Sequence, residues 1–443
     1  MGVRKRLKGL LIFAFIGSIF TSCAHSARET RSLDKSPNHV NPSRSVSTAE
    51  ADVYGADANK TGQPIGGGEG YTGGIERKDS QIKFTVSTSA ELVKALSLAQ
   101  AGEIIWIEGD SDIDMTRRSL MVKGGVTIAS DRGSDGSLGG RIYQTTGGAR
   151  LFTVNGENVR LTGLRIEGPH KETDSVSDTS VALYCSYRNL EIDNCEFFGW
   201  SDAAIGIAGT GITSNVRSDK TLGKEEFTKK MDNDDAGNIG ECTDYNPVGK
   251  DANIADVDPK DSAADTKITD TGISDLEMKA GAYIHHNYIH HNQMEGLGYG
   301  ITLSKGGVAL VEANYFDNCR HAIAGTGAPG EGYEARYNIC GPNWISTSPH
   351  NFDMHGFKTG YGIIAGDTIR IHHNTFMGNT EEMPTCIAIR GVPSNGAYIF
   401  NNWFYFTKDV PVWQTGGTEK VYSENNIIGV ERELVEIGQI RYY

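Results

Sequence analysis

Proline is scarce in this chain, with 12 among 443 residues, and the 7 cysteines include no C-x-x-C pair. Few prolines mean few enforced breaks in backbone pairing. The cysteine spacing matches neither a compact disulfide scaffold nor a zinc-binding pattern. Positive charge is also in short supply: the formal net charge is −14. That argues against nucleic acid as a partner, because phosphate binding needs a basic surface. A polyanionic substrate would have to be met by a local cationic patch. The apolar run from Gly9 to Phe20 is too short to span a bilayer once processed.

That run follows Arg4, Lys5, Arg6 and Lys8 and ends in Phe20-Thr21-Ser22-Cys23. Residues 1–23 therefore read as a signal peptide whose end resembles the bacterial lipobox, which makes Cys23 the lipidated new N-terminus. Phe20 stands where leucine is usual, so plain signal cleavage is the alternative. Residues 24–78 are polar and aperiodic and read as a flexible tether. The expected location is the bacterial cell envelope, lipid-anchored, or the exterior.

What the chain has in quantity is glycine, 55 residues, and one recurring phrase: aliphatic, two polar, Asn, any residue, then Phe or Ile. It reads IHHNYI at Ile284–Ile289, VEANYF at Val311–Phe316, IHHNTF at Ile371–Phe376 and IFNNWF at Ile399–Phe404. Looser copies are LTGLRI from Leu161, IDNCEF from Ile192, ARYNIC from Ala335 and YSENNI from Tyr422. The Asn positions 287, 314, 338, 374, 402 and 425 are 23 to 36 residues apart. This spacing fits one short coil per repeat, each burying its face on the next. Asn in register reads as an internal ladder of side-chain amides, a structural role. Cys195 and Cys340 fall on inward positions of the same repeat.

Ahead of the repeats, Ser87–Ala99 has helical periodicity behind a Ser/Thr cap and would close the open end of the solenoid. With the ladder and the coil length, this opening resembles the pectate-lyase-like superfamily of right-handed parallel β-helix proteins over roughly residues 80–430. The fold class expected is therefore all-β, a right-handed parallel β-helix over residues 79–435. It has a short N-terminal capping helix and one long loop insertion at about 210–280. The insertion is Asp-rich, carries one helical stretch, Lys224–Met231, and leaves a strand of the sheet discussed next, so it could wall a groove there. The resemblance implies that such grooves bind sugar chains.

Aligning the strand after each phrase by its inward apolar pair gives Ile205/Ile207, Ile301/Leu303, Ile323/Gly325, Phe352/Met354, Ile387/Ile389 and Val410/Val412. Alternation sends the intervening residues outward. One outward column then holds Gly300, Ala322, Asn351, Cys386 and Asp409. The second holds Thr302, Ala324, Asp353, Ala388 and Pro411, and the third Ser304, Thr326, His355, Arg390 and Trp413. Asp353 lies between two alanines with His355 on the same face and Arg390 one coil away, about 4.8 Å. Arg320, His321 and His350 flank these strands, and Lys358 with Tyr361 leaves on a loop. The bland alternative is a surface ion-pair cluster worth little.

These residue types suit removal of the C5 proton of a uronic acid residue. Arg390 would neutralise the sugar carboxylate through two parallel bonds. His355 would be the base, since imidazole as a group has a pKa close to working pH, and Asp353 would orient a histidine or hold a hydroxyl. Asn351, Trp413, His350, Arg320, His321 and Lys358 are candidates for substrate binding, Trp413 as a flat face for a ring. The leading expectation is a polysaccharide lyase cleaving an acidic glycan by β-elimination. Of the family's clustered calcium-binding aspartates only Asp353 stands on this sheet, with Asp409 nearer the edge, and the R-x-P-x-x-R stretch has no match.

A glycoside hydrolase, a C5-epimerase, or a non-catalytic glycan-binding or adhesion protein remain as alternatives. A hydrolase needs a second carboxylate, for which Glu295, Glu331 and Glu382 are candidates. No cofactor is required. The calcium candidate is Asp232-Asn233-Asp234-Asp235, but as an EF-hand loop it has Ala236 at the fifth position and Thr243 at the twelfth. The pairs His285/His286 and His372/His373 stand three coils apart, about 14 Å, and cannot share an ion. The chain is expected to be a monomer.

Overall fold

A computed structural model describes residues 54–148, 150–170, 178–209, 275–293, 296–343, 350–359, 362–378, 385–405, 412–414 and 419–428. Among these, the strands form three long parallel sheets of 11, 10 and 9 strands. The chain visits the sheets in rotation and returns to each one coil later, which makes a parallel β-helix. Sheet 1 runs from Ile82–Val86 to Val421–Glu424, sheet 2 from Asp112–Asp114 to Ile427–Ile428, and sheet 3 from Leu120–Lys123 to Val412–Gln414. One continuous apolar core fills the interior, from Leu92 and Ile105 to Ile399 and Phe404.

Helix α1, Ser89–Leu98, closes the N-terminal end as its periodicity predicts. Thr88 and Glu91 form a capping box, and Leu92, Ala95 and Leu96 are buried. Without it the first coil would expose its apolar end.

The ladder is present with one correction at its last rung. Asn287, Asn314, Asn338, Asn374 and Asn402 are all fully buried. Each Nδ2 donates to the next rung's Oδ1 at 3.0, 3.0, 2.9, 3.0 and 3.0 Å. Each Nδ2 also donates to a backbone carbonyl on the preceding coil, as Asn338 does to Val311 at 2.9 Å. The final acceptor is Asn426, not Asn425. Trp403 pairs with Ile427, so the last copy of the phrase starts one residue later than read. At the other end Cys195 N–H donates to Asn287 Oδ1, and the thiol position is buried as expected. Cys185, Cys195, Cys319, Cys340 and Cys386 are free and buried, whereas Cys242 lies outside the described residues.

Two further expectations change. Residues 54–78, the described part of the proposed tether, are docked on the corner between sheets 1 and 2. Gly55 N–H donates to Asn401 O, Gly66 N–H to Ala313 O and Gly68 N–H to Asn194 Oδ1. Tyr71 Oη donates to Asp193 at 2.9 Å. The segment thus runs from the last coils back to the early ones as a strap. The end of the insertion forms helix α2, Asp275–Gly281, which packs on sheet 1. Its Met278 is buried, and Lys279 lies 4.1 Å over the Tyr283 ring. The described end of the insertion therefore does not wall sheet 3. The Lys224–Met231 stretch and the Asp232–Asp235 run lie outside the described residues, as does Cys23.

The paired histidines also differ from simple alternation. His286, His291 and His373 adopt positive φ, which turns each ring back onto its neighbour. Nδ1···Nδ1 distances are 2.8, 2.7 and 2.8 Å in the three pairs. The first histidine of each pair reaches a glutamate: Glu191, Glu196 or Glu334.

Candidate active site

Sheet 3 brings the site together. Ala324 pairs with Asp353 and Asp353 with Ala388, while Phe352 and Met354 are fully buried in the core. Asp353 and His355 therefore project from the outer face, as alternation requires. Asp353 does not reach solvent, however. It is 0 % exposed, covered by the side chains that bind it. Arg390 donates from Nε to Asp353 Oδ1 at 3.0 Å and from Nη2 to Oδ2. His355 Nε2 lies 3.0 Å and His350 Nε2 3.2 Å from Oδ2. His321 Nε2 is 3.9 Å away.

The first outward column was misassigned. Asn351 is fully buried and both atoms of its amide lack partners. Its neighbours Ala322 and Cys386 belong to the core, and a side chain at Gly300 would meet Ile289 and Phe316. Two consecutive residues face inward here: Ala322 and Ile323 N–H both donate to Asn351 O. The outward position falls instead on Tyr299, His321 and His350, whose rings stack at 5.5 and 4.4 Å. Asn351 is removed from the groove.

Tyr299 is the residue sequence reasoning missed. It is the register partner of His321, and the coil alignment that placed Ile301 opposite Ile323 held the signal. Arg320 serves it: Nη1 donates to Tyr299 Oη at 2.7 Å and to Gly296 O at 2.6 Å. Arg320 thus braces the ring beside the site and does not touch Asp353 in these contacts. Trp413 pairs with Ala388, so it stands in the column of Asp353, not of His355. Lys358 lies on a small antiparallel hairpin, Phe357–Thr359 with Gly362–Ile364, that leaves the His355 strand. Tyr361, Asp409, Val410 and Pro411 lie outside the described residues.

Electrostatics follow from this packing. Burial works against the charge on Asp353, but His350, His355 and the Arg390 guanidinium outweigh it and hold the carboxyl well below its usual range. Burial pushes His321 well below the usual imidazole range and His350 below it, so both are neutral near pH 7. His321 Nδ1 lies 2.8 Å from the His350 carbonyl; a carbonyl only accepts, so Nδ1 carries the proton and Nε2 keeps its lone pair. His355 Nε2 faces both the Asp353 carboxylate, which only accepts, and Arg390 Nη2, which only donates, so these contacts fit either tautomer. The His355 and Arg390 side chains are 20 % and 22 % exposed. Beside His355 a shallow depression is lined by Tyr299, Thr302, Ala324 and Thr326.

Of the second carboxylates considered, Glu331 turns inward. It accepts from Thr326 Oγ1 at 2.5 Å and Gly327 N–H at 2.8 Å, and its Oε2 would touch a side chain at the inward Gly325. Glu295 and Glu382 lie outside the described residues. No protein-family model and no curated protein matches this chain. What the chain shows is a parallel β-helix architecture, and any activity must be argued from these side chains.

Proposed function

We propose that the protein acts on an acidic polysaccharide and cleaves uronic acid linkages by β-elimination in the groove of sheet 3. The observation that carries this reading is the pairing of a buried, ionised Asp353 with the partly exposed His355 at 3.0 Å. In this mechanism Nε2–H donates to the carboxylate and Nδ1 is the base. Nδ1 takes the C5 proton, the electron pair forms the C4–C5 double bond, and the C4–O bond breaks. The departing oxygen takes a proton from water. Arg390, whose contacts bring it against His355, supplies positive charge where the sugar carboxylate would gather density. Part of that charge is spent on Asp353, so Arg390 both orders the base and biases the groove toward anions.

The reading includes export through residues 1–23 and a lipid anchor at Cys23, so that the groove meets glycans outside the cell. Loss of lipid incorporation in Cys23→Ala checks that part.

Incubation with a panel of uronic acid polysaccharides separates the classes. Ultraviolet absorbance from unsaturated ends supports the lyase. New reducing ends without absorbance indicate a hydrolase, C5 inversion without cleavage an epimerase, and binding alone an adhesin.

A further inference from the structure

We propose that His321, His350 and Asp353 form a binding site for a first-row divalent transition metal ion. The three side chains come from two successive coils, and one donor atom from each lies within 4.8 Å of the others. His350 Nε2 and His321 Nε2 stand 3.2 and 3.9 Å from Asp353 Oδ2. Donors bound to one tetrahedral ion at about 2.0–2.2 Å lie roughly 3.3–3.6 Å apart, so closure asks for only a small adjustment.

Two observations beyond clustering point to a ligand. His321 Nε2 is buried, aims at Asp353 and has no hydrogen-bond partner. Its Nδ1 is held by the His350 carbonyl at 2.8 Å, the outer contact that orients metal-binding imidazoles. His350 Nδ1 is also buried without a partner and is free to take the ring proton when Nε2 turns to the ion.

Two imidazoles and a carboxylate select zinc, iron, cobalt or nickel over calcium, which prefers an all-oxygen shell. Binding requires two movements. His350 turns out of its 11° stack on His321 and shifts its ring proton from Nε2, which donates to Asp353 at 3.2 Å, to Nδ1, so that the Nε2 lone pairs of both rings converge. Arg390 keeps Nε on Oδ1 and releases Nη2 from Oδ2. The other cluster of this kind among the described residues, Glu191, Asp193 and His285, lacks such an opening. Asp193 accepts there from Arg160, Tyr71 and Thr162. The inference does not depend on lyase activity, since it is read by metal binding alone.

The test is calorimetric titration of the chelator-stripped full chain with zinc, repeated for His321→Ala, His350→Gln and His285→Ala. The expected result is a single site in the wild type. It is weakened at least tenfold in the first two variants and unchanged in the third. Because a core variant can misfold, a zinc-soaked crystal of the wild-type protein gives an independent reading by anomalous scattering between His321 Nε2, His350 and Asp353 Oδ2. Absence of zinc binding in the wild type overturns the proposal. So does undiminished binding by folded His321→Ala, or anomalous signal only elsewhere.

Discussion

Arg390 grips Asp353 from the adjacent coil, Nε to Oδ1 at 3.0 Å and Nη2 to Oδ2, and the carboxylate it holds is completely buried. A pair of this kind is costly to break on one side, because the surviving charge stays in the protein. Arg390→Met is expected to destabilise the C-terminal coils by about 3 kcal/mol, read as a lower urea midpoint. The double variant Arg390→Met/Asp353→Leu should recover part of that loss. Equal midpoints for wild type and single variant would contradict the assignment.

The ladder predicts a second cost. Asn338 donates to Val311 O and Asn374 Oδ1 and accepts from Asn314. Asn338→Ala strands buried groups on both neighbouring coils, each worth about 1–3 kcal/mol. We expect a loss of at least about 2 kcal/mol in urea unfolding. Asn425→Ala, outside the ladder proper, should cost far less, as among the described residues its side chain bonds Asn401 and Tyr54 at an exposed position.

What the sequence disclosed depended on how unusual each signal was. The Asn phrase was legible because a side-chain amide that donates and accepts along a stack recurs at one position of successive coils, and the Asp353, His355 and Arg390 columns followed from apolar pairs that fixed the register. Reading failed where the chain departs from alternation. At the corner before Ile323 two successive residues face in, which exchanged Asn351 with His350. Adjacent Asn425 and Asn426 satisfy the phrase equally well, and so do Val410 and Val412 as inward residues. The strap at 54–78 carries no periodicity, because backbone groups, polar side chains and scattered apolar residues such as Ala56, Ile65 and Ile75, not one regular face, make its contacts.

That strap gives a prediction of its own. Truncation of residues 54–74 removes the contacts to Asn401, Ala313, Asn194 and Asp193. The melting temperature should fall by several degrees, about what a loss of 1–2 kcal/mol produces, with faster proteolysis at the uncovered corner. An unchanged melting temperature would show that the strap is decoration.

Acid sensitivity follows from the paired histidines. Burial and the neighbouring imidazole lower His286 to about 3 and His291 and His373 to about 4. Below about pH 6.5 the unfolded chain takes up protons that the fold refuses, so stability falls with pH, by up to about 1.4 kcal/mol per unit for each group. Burial raises Glu331 to about 7 and Asp202 to about 6. These act oppositely, losing stability as pH rises through those values. With five lowered imidazoles, His321 and His350 included, against four raised carboxyls, Asp317 and Asp367 included, thermal unfolding should show a lower melting temperature at pH 5 than at pH 7.5. His373→Gln should reduce that difference.

The most direct test of the central claim is the rate of ultraviolet product formation on uronic acid polysaccharides by wild-type protein and His355→Ala, with folding verified for both. General-base removal typically costs about 10²–10⁴-fold. The account predicts unsaturated product from the wild type and a loss of that order in the variant. A wild type that yields no unsaturated product from any such polymer, or a His355→Ala that keeps full rate, would contradict it.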